Sequence, residues 1–351
     1  MDAEQRASRA RAWQAMAMRR GPVAWVLLPV AWLYGAALAI KRVAHRWGWL
    51  RTDKLDVPVI VVGNVVVGGA GKTPTVLALV EALRQRGWTP GVISRGHGRR
   101  ASSIPLGVQA DSLAIDVGDE PLQIHRATGV PVVVADRRID AGRALRQAHP
   151  EVNVVITDDG LQHWALHRDV SVVVMDDRGV GNGWLLPAGL LREPWPPSPR
   201  HHPNLVLQQR STHAQAPEVR MPAGVPRFEV TRSLSPWAIN GCGQQQAWAD
   251  WAGTPVDAVA GVARPAVFFE MLRQGGLQQL KTHALPDHAP MSDYAAVWSR
   301  AKAALLCTDK DAVKLMALPD IDPSRVWRVP LLLSSDHDWT GAVIDQLPAR
   351  L

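Results

Sequence analysis

The sequence predicts an α/β fold: a P-loop NTPase-like, doubly wound, mainly parallel sheet, with a second, smaller α/β lobe and an N-terminal apolar helix. Two observations predict the main sheet. Short apolar runs alternate with helical patterns from residue 59 to residue 175, which is typical of parallel strands joined by crossover helices. The first run, Val59 to Val62, passes through a glycine cluster into a helical pattern that begins at about Lys72. Strand, glycine loop and helix in this order are the context that a phosphate-binding loop requires.

The glycine cluster predicts a nucleoside triphosphate site. Backbone N–H groups of the loop and the N-terminus of the following helix would surround the phosphates. Lys72 would lie on the β- and γ-phosphates, and Thr73 would bind magnesium. The strict pattern G-x-x-x-x-G-K-[ST] needs a glycine at Val66, so the segment fits the variant G-G-x-G-K-[ST] better. The predicted loop comprises Val66, Val67, Gly68, Gly69, Ala70, Gly71, Lys72 and Thr73.

Composition limits the class of protein. A chain of 351 residues, 47% hydrophobic and 20% charged, is long enough for one to three domains with a substantial core. Its two cysteines, Cys242 and Cys307, are far apart, which argues against a disulfide framework or a zinc ribbon. A net charge of +7 indicates an anionic partner, either nucleic acid or an anionic membrane. The fifteen tryptophans are typical of membrane interfaces.

The segment from Pro22 to Ile40 has nineteen residues and no charge. As a helix it would measure roughly 28 Å, close to the hydrocarbon thickness of a bilayer. A cleaved signal peptide, a spanning helix, a helix embedded in the cytoplasmic leaflet and an apolar helix buried against the domain are the alternatives. Basic residues flank the segment on both sides. A helix with both ends on anionic headgroups accounts for both flanks, which favours membrane association from the cytoplasmic side.

Polar clusters follow the later strands. The run Gly91 to Ser94 leads into a basic, glycine-containing loop that begins at Arg95, which suits a phosphate or a phospholipid headgroup. The run Val130 to Ala135 ends at Asp136-Arg137-Arg138, and Val152 to Thr157 ends at Asp158-Asp159. An apolar run that ends in Asp is the Walker B arrangement, which reaches magnesium directly or through water. In a doubly wound sheet these clusters should share the carboxyl edge, where ligands bind.

Two further clusters have competing interpretations. Asp119-Glu120, bounded by Gly118 and Pro121, is typical of the first turn of a helix, where carboxylates favour the helix N-terminus. His163 and His167 are four residues apart and would share a helix face. With only two ligands in view they do not predict zinc.

The chain is predicted to divide into four parts. Residues 1–50 form the membrane-associated segment, 51–209 the P-loop core, 210–230 a linker and 231–351 the C-terminal lobe. The core ends in a proline-rich stretch from Leu185 to Pro203, predicted as a substrate-side loop or lid, and a sixth short strand. The lobe restarts the strand–helix pattern, with strands near residues 258–262 and 303–307.

Taken together, eight motifs resemble those of the tetraacyldisaccharide 4′-kinases of lipid A synthesis. They occur in order from about residue 57 to residue 315: V-G-N-V-V-V-G-G-A-G-K-T-P, S-R-G-H-G, V-G-D-E-P, D-D-G-L-Q-H, L-P-A-G-L-L-R-E-P, G-V-A-R-P-A-V-F-F, P-D-H and T-D-K-D-A-V-K-L. The resemblance implies transfer of the γ-phosphate of ATP to the 4′-hydroxyl of tetraacyldisaccharide 1-phosphate, a glycolipid, to give lipid IVA. It also implies Mg²⁺, two lobes that close over the site, a location at the cytoplasmic face of the bacterial inner membrane, and no nucleic-acid partner.

The resemblance also assigns roles to residues. It places Lys72 and Thr73 on phosphates and metal, Asp119 as the catalytic base with His288 as its partner, and Asp158 as the Walker B-like acid. This role for Asp119 replaces the helix-terminus interpretation. The expected substrate residues are Arg95, Arg137, Asp159, Gln162, His163 and Glu193.

A membrane-targeted P-loop ATPase switch, of the partitioning or metallochaperone type, is the alternative function. The glycine loop and the basic N-terminal helix both allow it. Val67 stands where the partitioning-type ATPases carry an additional lysine. That substitution, the lack of a metal-ligand cluster in the sequence and the second α/β half all argue against a switch.

Overall fold

The computed structural model describes residues 12–210 and 218–349. The first eleven residues of the predicted N-terminal segment, and residues 211–217 of the predicted linker, lie outside this range. The strands are β1 Val59–Gly63, β2 Pro90–Ser94, β3 Leu106–Gly107, β4 Val132–Val134, β5 Val154–Asp158, β6 Val170–Met175, β7 Leu205–Arg210, β8 Arg227–Leu234, β9 Trp237–Asn240, β10 Gln245–Ala247, β11 Val256–Ala260, β12 Leu280–Ala284, β13 Leu305–Thr308, β14 Val326–Val329 and β15 Leu331–Ser334.

Helices connect most of these strands. They are α1 Pro22–Arg46, α2 Lys72–Gln85, α3 Ala114–Val117, α4 Asp119–Thr128, α5 Arg138–Ala148, α6 Pro265–Gln274, α7 Met291–Trp298, α8 Asp309–Leu315 and α9 Trp339–Ile344, with short 3₁₀ turns at Pro199–His201 and Trp248–Trp251.

The first sheet has nine strands in the order β15-β8-β7-β6-β1-β5-β2-β4-β3. The seven strands from β8 to β4 are parallel, and only the edge strands β3 and β15 run antiparallel to their neighbours. The carboxyl ends of β1, β2, β4, β5 and β6 therefore meet at one edge. The doubly wound, mainly parallel sheet predicted from the sequence is confirmed, and the predicted polar clusters follow strands that end at this edge.

The burial of the central strand β1 explains why its sequence is a continuous apolar run. All five of its residues are buried. Ile60 and Val62 pack into the core on one face of the sheet, and Val59 and Val61 pack into the core on the other face. Because successive side chains point to opposite faces, a strand covered by helices on both sides must be apolar at every position.

The second sheet has six strands in the order β10-β9-β14-β13-β11-β12. Strands β14, β13, β11 and β12 are parallel, and β9 and β10 are antiparallel. This lobe is inserted between two adjacent strands of the first sheet, because β8 leads into it and β15 leads out of it. The two connections run side by side: Leu234 pairs with Leu331, and the Ser235 N–H donates to the Pro330 carbonyl at 2.8 Å.

The predicted domain limits at residues 209 and 231 stay a prediction, but sheet membership crosses them. Strand β8 begins at Arg227, inside the predicted linker, and β15 lies inside the predicted C-terminal lobe. Both strands belong to the first sheet. The sequence does not reveal this, because the residues of β8 are mostly exposed or half-buried, although the strand lies between β7 and β15. It therefore lacks the continuous apolar run of a strand that is buried on both faces.

Helix α1 lies against the proline-rich segment and leaves most of its apolar surface exposed. The Tyr34 hydroxyl donates to the Arg192 carbonyl at 2.9 Å, and Arg42 pairs with Glu193 at 2.8 Å. On the outer face Val26 is 77% and Leu33 is 72% exposed. In the described part of the chain, α1 is the helix long and apolar enough to cross a membrane. An apolar helix buried against the domain, one of the four alternatives, does not fit this exposure.

Candidate active site

The phosphate loop begins directly after β1 and ends at the N-terminus of α2. Gly68 and Gly71 have φ angles of 90° and 81°, in the left-handed region that favours glycine. A Cβ atom at Gly71 would also overlap the side-chain amide of Gln209. The start of the loop is pinned by the proline-rich segment, since the Val67 N–H donates to the Leu190 carbonyl at 2.9 Å.

The Lys72 ammonium lies at the mouth of this loop. Its Nζ is 3.5 Å from Asn64 Oδ1 and 3.7 Å from Asp159 Oδ1. Asn64 in turn donates through Nδ2 to the Gly68 carbonyl at 3.0 Å. The cation is therefore held beside the loop by groups at the ends of β1 and β5.

A cleft of about 440 Å³ separates the phosphate loop from the second lobe. One wall carries the loop and Asp159, and the opposite wall carries residues that follow β11 and β13. Apolar side chains, among them Phe268 and Met271, also line the cleft. The lining residues include Val67, Gly68, Gly69, Gly71, Lys72, Thr73, His97, Glu120, Asp159, Arg192, Arg232, Leu234, Arg264, Val267, Phe268, Met271, Asp287, His288, Lys310 and Leu331.

Asp119 and His288 meet where the two lobes touch. Asp119 is the first residue of α4 and is 6% exposed. Its Oδ2 lies 3.2 Å from His288 Nδ1 and 2.8 Å from Lys314 Nζ. Burial raises the pKa of this carboxyl, but the hydrogen bonds from His288 and Lys314 outweigh burial and hold the pKa below its usual value.

Two lysines that the sequence analysis did not assign complete this cluster. Lys310 Nζ is 2.6 Å from Asp287, 3.8 Å from Glu120 and 3.4 Å from His288 Nε2. Lys310 and Lys314 both lie on α8, four residues apart, and therefore project from one face. Their spacing in T-D-K-D-A-V-K-L is the sequence signal that would have identified them.

The adjacent carboxylates at the end of β5 have opposite environments. Asp158 is fully buried, and neither of its carboxylate oxygens has a hydrogen-bond partner within the described residues. Burial, reinforced by the nearby Glu120, raises its pKa to about 7. Asp159 instead pairs with Arg192 at 2.8 Å and 3.2 Å. Although burial raises its pKa, Lys72 and Arg192 hold the pKa of Asp159 below its usual value.

The uncompensated Asp158 carboxylate fits a bound cation. A buried acid without a partner is costly unless a positive charge compensates it, and oxygen ligands are those that magnesium prefers. Asp158 stands at the carboxyl end of a strand beside β1, and Thr73 lines the cleft at the start of α2. The residues present therefore suit magnesium, with Thr73 and Asp158 as the candidate ligands.

A second group of predicted residues lies around Asp159. Gln162 donates through Nε2 to the Asn64 carbonyl at 3.0 Å. The buried His163 Nε2 has no hydrogen-bond partner in the described part of the chain. Burial, followed by the charge of Arg138, lowers the pKa of His163 to about 4, so its imidazole is neutral at pH 7. Glu193 is 7% exposed, and while one of its carboxylate oxygens pairs with Arg42, the other has no partner among the same residues.

Some predicted residues do not line the cleft. Arg137 is exposed and pairs with Asp53 at 3.5 Å and with Asp140 at 3.9 Å. Arg95 is exposed on the loop after β2. Val66 and Ala70 are buried in the loop itself rather than facing the cleft. Arg192 was not assigned from the sequence, yet it lines the cleft next to Asp159.

Comparison with known proteins gives a consistent family. Residues 23–348 match the family described as Tetraacyldisaccharide-1-P 4′-kinase. A protein named Tetraacyldisaccharide 4′-kinase from Acidovorax sp. (strain JS42) is 48% identical over 344 residues, which cover 97% of this chain and 93% of that protein. A protein of the same name from Polaromonas naphthalenivorans (strain CJ2) is 46% identical over 348 residues, covering 97% and 96%.

A solved structure shares the fold. The crystal structure of the "apo" form of LpxK from Aquifex aeolicus in complex with ATP is similar with a TM-score of 0.75 and 26% sequence identity. The similarity covers 93% of this chain and 100% of that chain. Both lobes are therefore part of the shared architecture.

Proposed function

This chain belongs to the tetraacyldisaccharide-1-P 4′-kinase family, and from that premise we infer how its cleft works. It is an ATP-dependent kinase that phosphorylates the 4′-hydroxyl of tetraacyldisaccharide 1-phosphate in lipid A biosynthesis, giving lipid IVA. The observation that carries the mechanism is the interlobe cleft, which has the phosphate loop and Lys72 of the first lobe on one wall and His288 and Lys310 of the second lobe on the other.

ATP is held with its phosphates on the glycine loop. Phosphoryl transfer passes through a loose transition state, so catalysis depends mainly on positioning and on neutralising charge. The loop amides and Lys72 supply that stabilisation. Thr73 and Asp158 would hold magnesium, which when bound neutralises charge on the β- and γ-phosphates.

We propose Asp119 as the base that receives the proton of the acceptor hydroxyl. The lowered pKa keeps its carboxylate ionised at neutral pH, and the same shift makes it a weak base on its own. His288 orients the carboxylate through Nδ1 at 3.2 Å and takes up part of the charge. The base and its partner come from different lobes, so the pair forms only when the lobes are together.

The acceptor sugar is proposed to lie on the Asp159 side of the cleft. We propose Asp159, Gln162, His163 and Glu193 as the residues of this region that contact the sugar. Asp159 lines the cleft, and the buried His163 Nε2 and one Glu193 oxygen have no hydrogen-bond partner in the described part of the chain, so a sugar hydroxyl that reached them would satisfy them. The exposed Arg95 and Arg137 are proposed to contact anionic parts of the acceptor outside the cleft, because Arg binds phosphate well at a surface.

Helix α1 supports a location at the cytoplasmic face of the inner membrane. The nucleotide is cytoplasmic and the acceptor is a lipid, so the cleft must stand close to the bilayer. The exposed apolar face of α1 exceeds what a soluble surface usually shows, and α1 contacts Arg192 and Glu193, the latter one of the proposed acceptor residues. We propose that α1 holds the cleft at the lipid surface.

A transfer assay tests this function. Radiolabelled ATP is incubated with the purified chain, magnesium and tetraacyldisaccharide 1-phosphate, and the lipid product is identified by mass spectrometry. We expect one added phosphate on the lipid, formed only when the acceptor is present. Acceptor-independent ATP hydrolysis coupled to dimerisation would instead indicate the ATPase switch.

A further inference from the structure

Two side chains without a role in the proposed reaction, Arg178 and Gln209, bind the backbone carbonyls of the phosphate loop. Arg178 donates through Nη1 to the Val67 carbonyl at 2.9 Å and through Nη2 to the Gly69 carbonyl at 3.1 Å. Gln209 donates through Nε2 to the Gly71 carbonyl at 2.9 Å. Arg178 and Gln209 therefore hold the carbonyls of residues 67, 69 and 71, while the Gly68 carbonyl between them accepts from Asn64.

These contacts set the direction of the loop amides. In a trans peptide the carbonyl and the following N–H point in opposite directions. Holding the carbonyls of residues 67, 69 and 71 outward therefore turns the N–H groups of Gly68, Ala70 and Lys72 the other way, toward the phosphate side. Without the hydrogen bonds from Arg178 and Gln209, the peptide groups of the free loop would adopt several orientations. Its N–H groups would then not all point toward the phosphate side before ATP binds.

The guanidinium of Arg178 is itself fixed by a buried acid. Asp176 Oδ1 accepts from the backbone N–H and from Nε of Arg178, each at 3.0 Å, and its Oδ2 lies 2.9 Å from Nη2. Asp176 is fully buried. Burial raises its pKa, but the charge of Arg178 outweighs burial and holds the pKa below its usual value.

The second lobe reaches the same acid. Arg264 precedes helix α6, and its Nη1 lies 3.4 Å from Asp176 Oδ2 while its Nη2 lies 3.5 Å from Asp177 Oδ2. Next to it, Ala263 packs directly on the loop, since a Cβ at Gly69 would be 3.5 Å from the Ala263 Cβ. One carboxylate thus connects an arginine that holds the loop to an arginine of the opposite lobe.

We propose that Arg264 is a positioning residue that couples closure of the lobes to the phosphate loop. With the lobes together, its guanidinium docks on Asp176 and Asp177, strengthens the hold of Asp176 on Arg178, and keeps the loop amides in the phosphate-binding orientation. By reciprocal linkage, ATP on the loop then favours the closed arrangement. The proposal rests on the function above only in taking ATP as the ligand of the loop.

Arg264→Gln in the full-length, detergent-solubilised protein tests the coupling. ATP affinity is measured by calorimetry with magnesium and without the lipid acceptor. We expect affinity to fall about tenfold, within the range of typical coupling between sites, with the KM for ATP rising while the KM for the lipid is unchanged. Arg264→Lys should restore part of the affinity, because an ammonium keeps the charge but cannot span both carboxylates. Arg273→Gln, on the exposed side of the same helix, is the matched control and should behave as the wild type.

A double-mutant cycle with Asp176→Asn separates coupling from general damage. If both residues act through one path, the double variant should bind ATP no more weakly than the weaker single variant. Unchanged ATP affinity in Arg264→Gln, a change confined to the lipid KM, or losses that multiply in the double variant would each overturn the proposal. Should Asp176→Asn fail to fold, Arg264→Gln and Arg264→Lys decide the question by themselves.

A wild type that binds ATP but does not phosphorylate the lipid would contradict the proposed function and leave this inference standing.

Discussion

At the scale of single residues, two carboxylates that are adjacent in the sequence have opposite pKa shifts. Asp158 and Asp159 differ in position by one residue, yet the pKa of one is raised to about 7 and that of the other is lowered. The difference arises because Asp159 forms direct ion pairs with Lys72 and Arg192, whereas the carboxylate oxygens of the fully buried Asp158 have no hydrogen-bond partner among the described residues. Asp158 is thus the carboxylate that we propose as the metal ligand, and Asp159 pairs with the lysine of the loop.

Asp119→Ala and His288→Ala should each lower kcat by about 10²-fold or more, the range usual for acid–base groups. Because the two side chains act as a pair, the double variant should lose less than the product of the single losses. Steady-state kinetics with saturating ATP and lipid measure this. Asp116→Ala, in the short helix just before Asp119 and paired with Arg100 on the surface, is the control. Strictly independent losses would count against the pair.

His163 should make the fold sensitive to acid. Its pKa is about 4 in the folded protein and about 6.5 when unfolded, so the unfolded chain binds the extra proton between these values. Stability is therefore lost as the pH falls from 6.5 toward 4, and because the ring is partly exposed, solvent screening makes this loss smaller than the pKa difference alone would give. Urea unfolding at pH 7 and pH 5 should show a smaller acid loss in His163→Gln than in the wild type. The exposed His337→Gln is the control, and equal losses in all three proteins would refute the assignment.

At the scale of elements, one face of helix α1 contacts the proline-rich segment and the opposite face is exposed to solvent. Its inner contacts reach the segment that pins the start of the phosphate loop, through the Tyr34 hydroxyl and the Arg192 carbonyl. Its outer face exposes large apolar side chains, which globular surfaces rarely carry in one continuous patch. Only small residues of the helix, Ala24 and Ala31, are buried, so its large apolar side chains remain available for the membrane contact that we propose.

Replacing apolar residues of the outer face should weaken membrane binding. Val26→Asn with Leu33→Asn removes two exposed apolar groups, each worth about 1.5–3 kcal/mol when buried in an apolar phase. Co-sedimentation with vesicles that contain anionic lipid should show at least tenfold weaker binding, while ATP affinity is unchanged. Ile104→Asn, which removes an equally exposed apolar side chain elsewhere, should have no effect on sedimentation. Equal binding by both variants would argue against α1 as the membrane contact.

At the scale of the whole molecule, the active site exists only between the lobes. The second lobe is inserted between β8 and β15, and its residues His288, Lys310 and Lys314 meet Asp119 and Glu120 of the first lobe. Opposite charges face each other across this junction, so electrostatic attraction favours the closed arrangement. The ionisation of the proposed base therefore depends on a cation from the other lobe.

Lys314→Met should shift the pH dependence of catalysis. Without the ammonium at 2.8 Å, a hydrogen bond and a charge that lower the pKa of Asp119 are lost while burial still raises it. The pKa therefore rises, and the carboxylate is protonated at a higher pH than in the wild type. The acid limb of the kcat/KM profile should move to higher pH, with activity partly recovered under more alkaline conditions. Lys302→Met, at an exposed position of the same lobe, should keep the wild-type profile. An unshifted acid limb would mean that Asp119 is not the group whose ionisation limits the rate.

The sequence by itself determined the parts that depend on local order along the chain. The apolar run of β1, the glycines of the loop and the start of α2 at Lys72 follow from the periods of strand and helix and from the backbone freedom of glycine. The carboxylates at the end of β5 were likewise predictable, because parallel strands bring their carboxyl ends to one edge.

Only the tertiary structure decided which distant residues meet. Arg178 and Gln209 hold the loop from behind, Arg192 pairs with Asp159, and Lys314 contacts Asp119 across the lobes. Arg137, which the resemblance places with the substrate, is exposed and pairs with Asp53. Periodicity records which face of an element is buried, whereas the partner of a charged side chain depends on packing between elements far apart in the chain, about which local sequence carries no information.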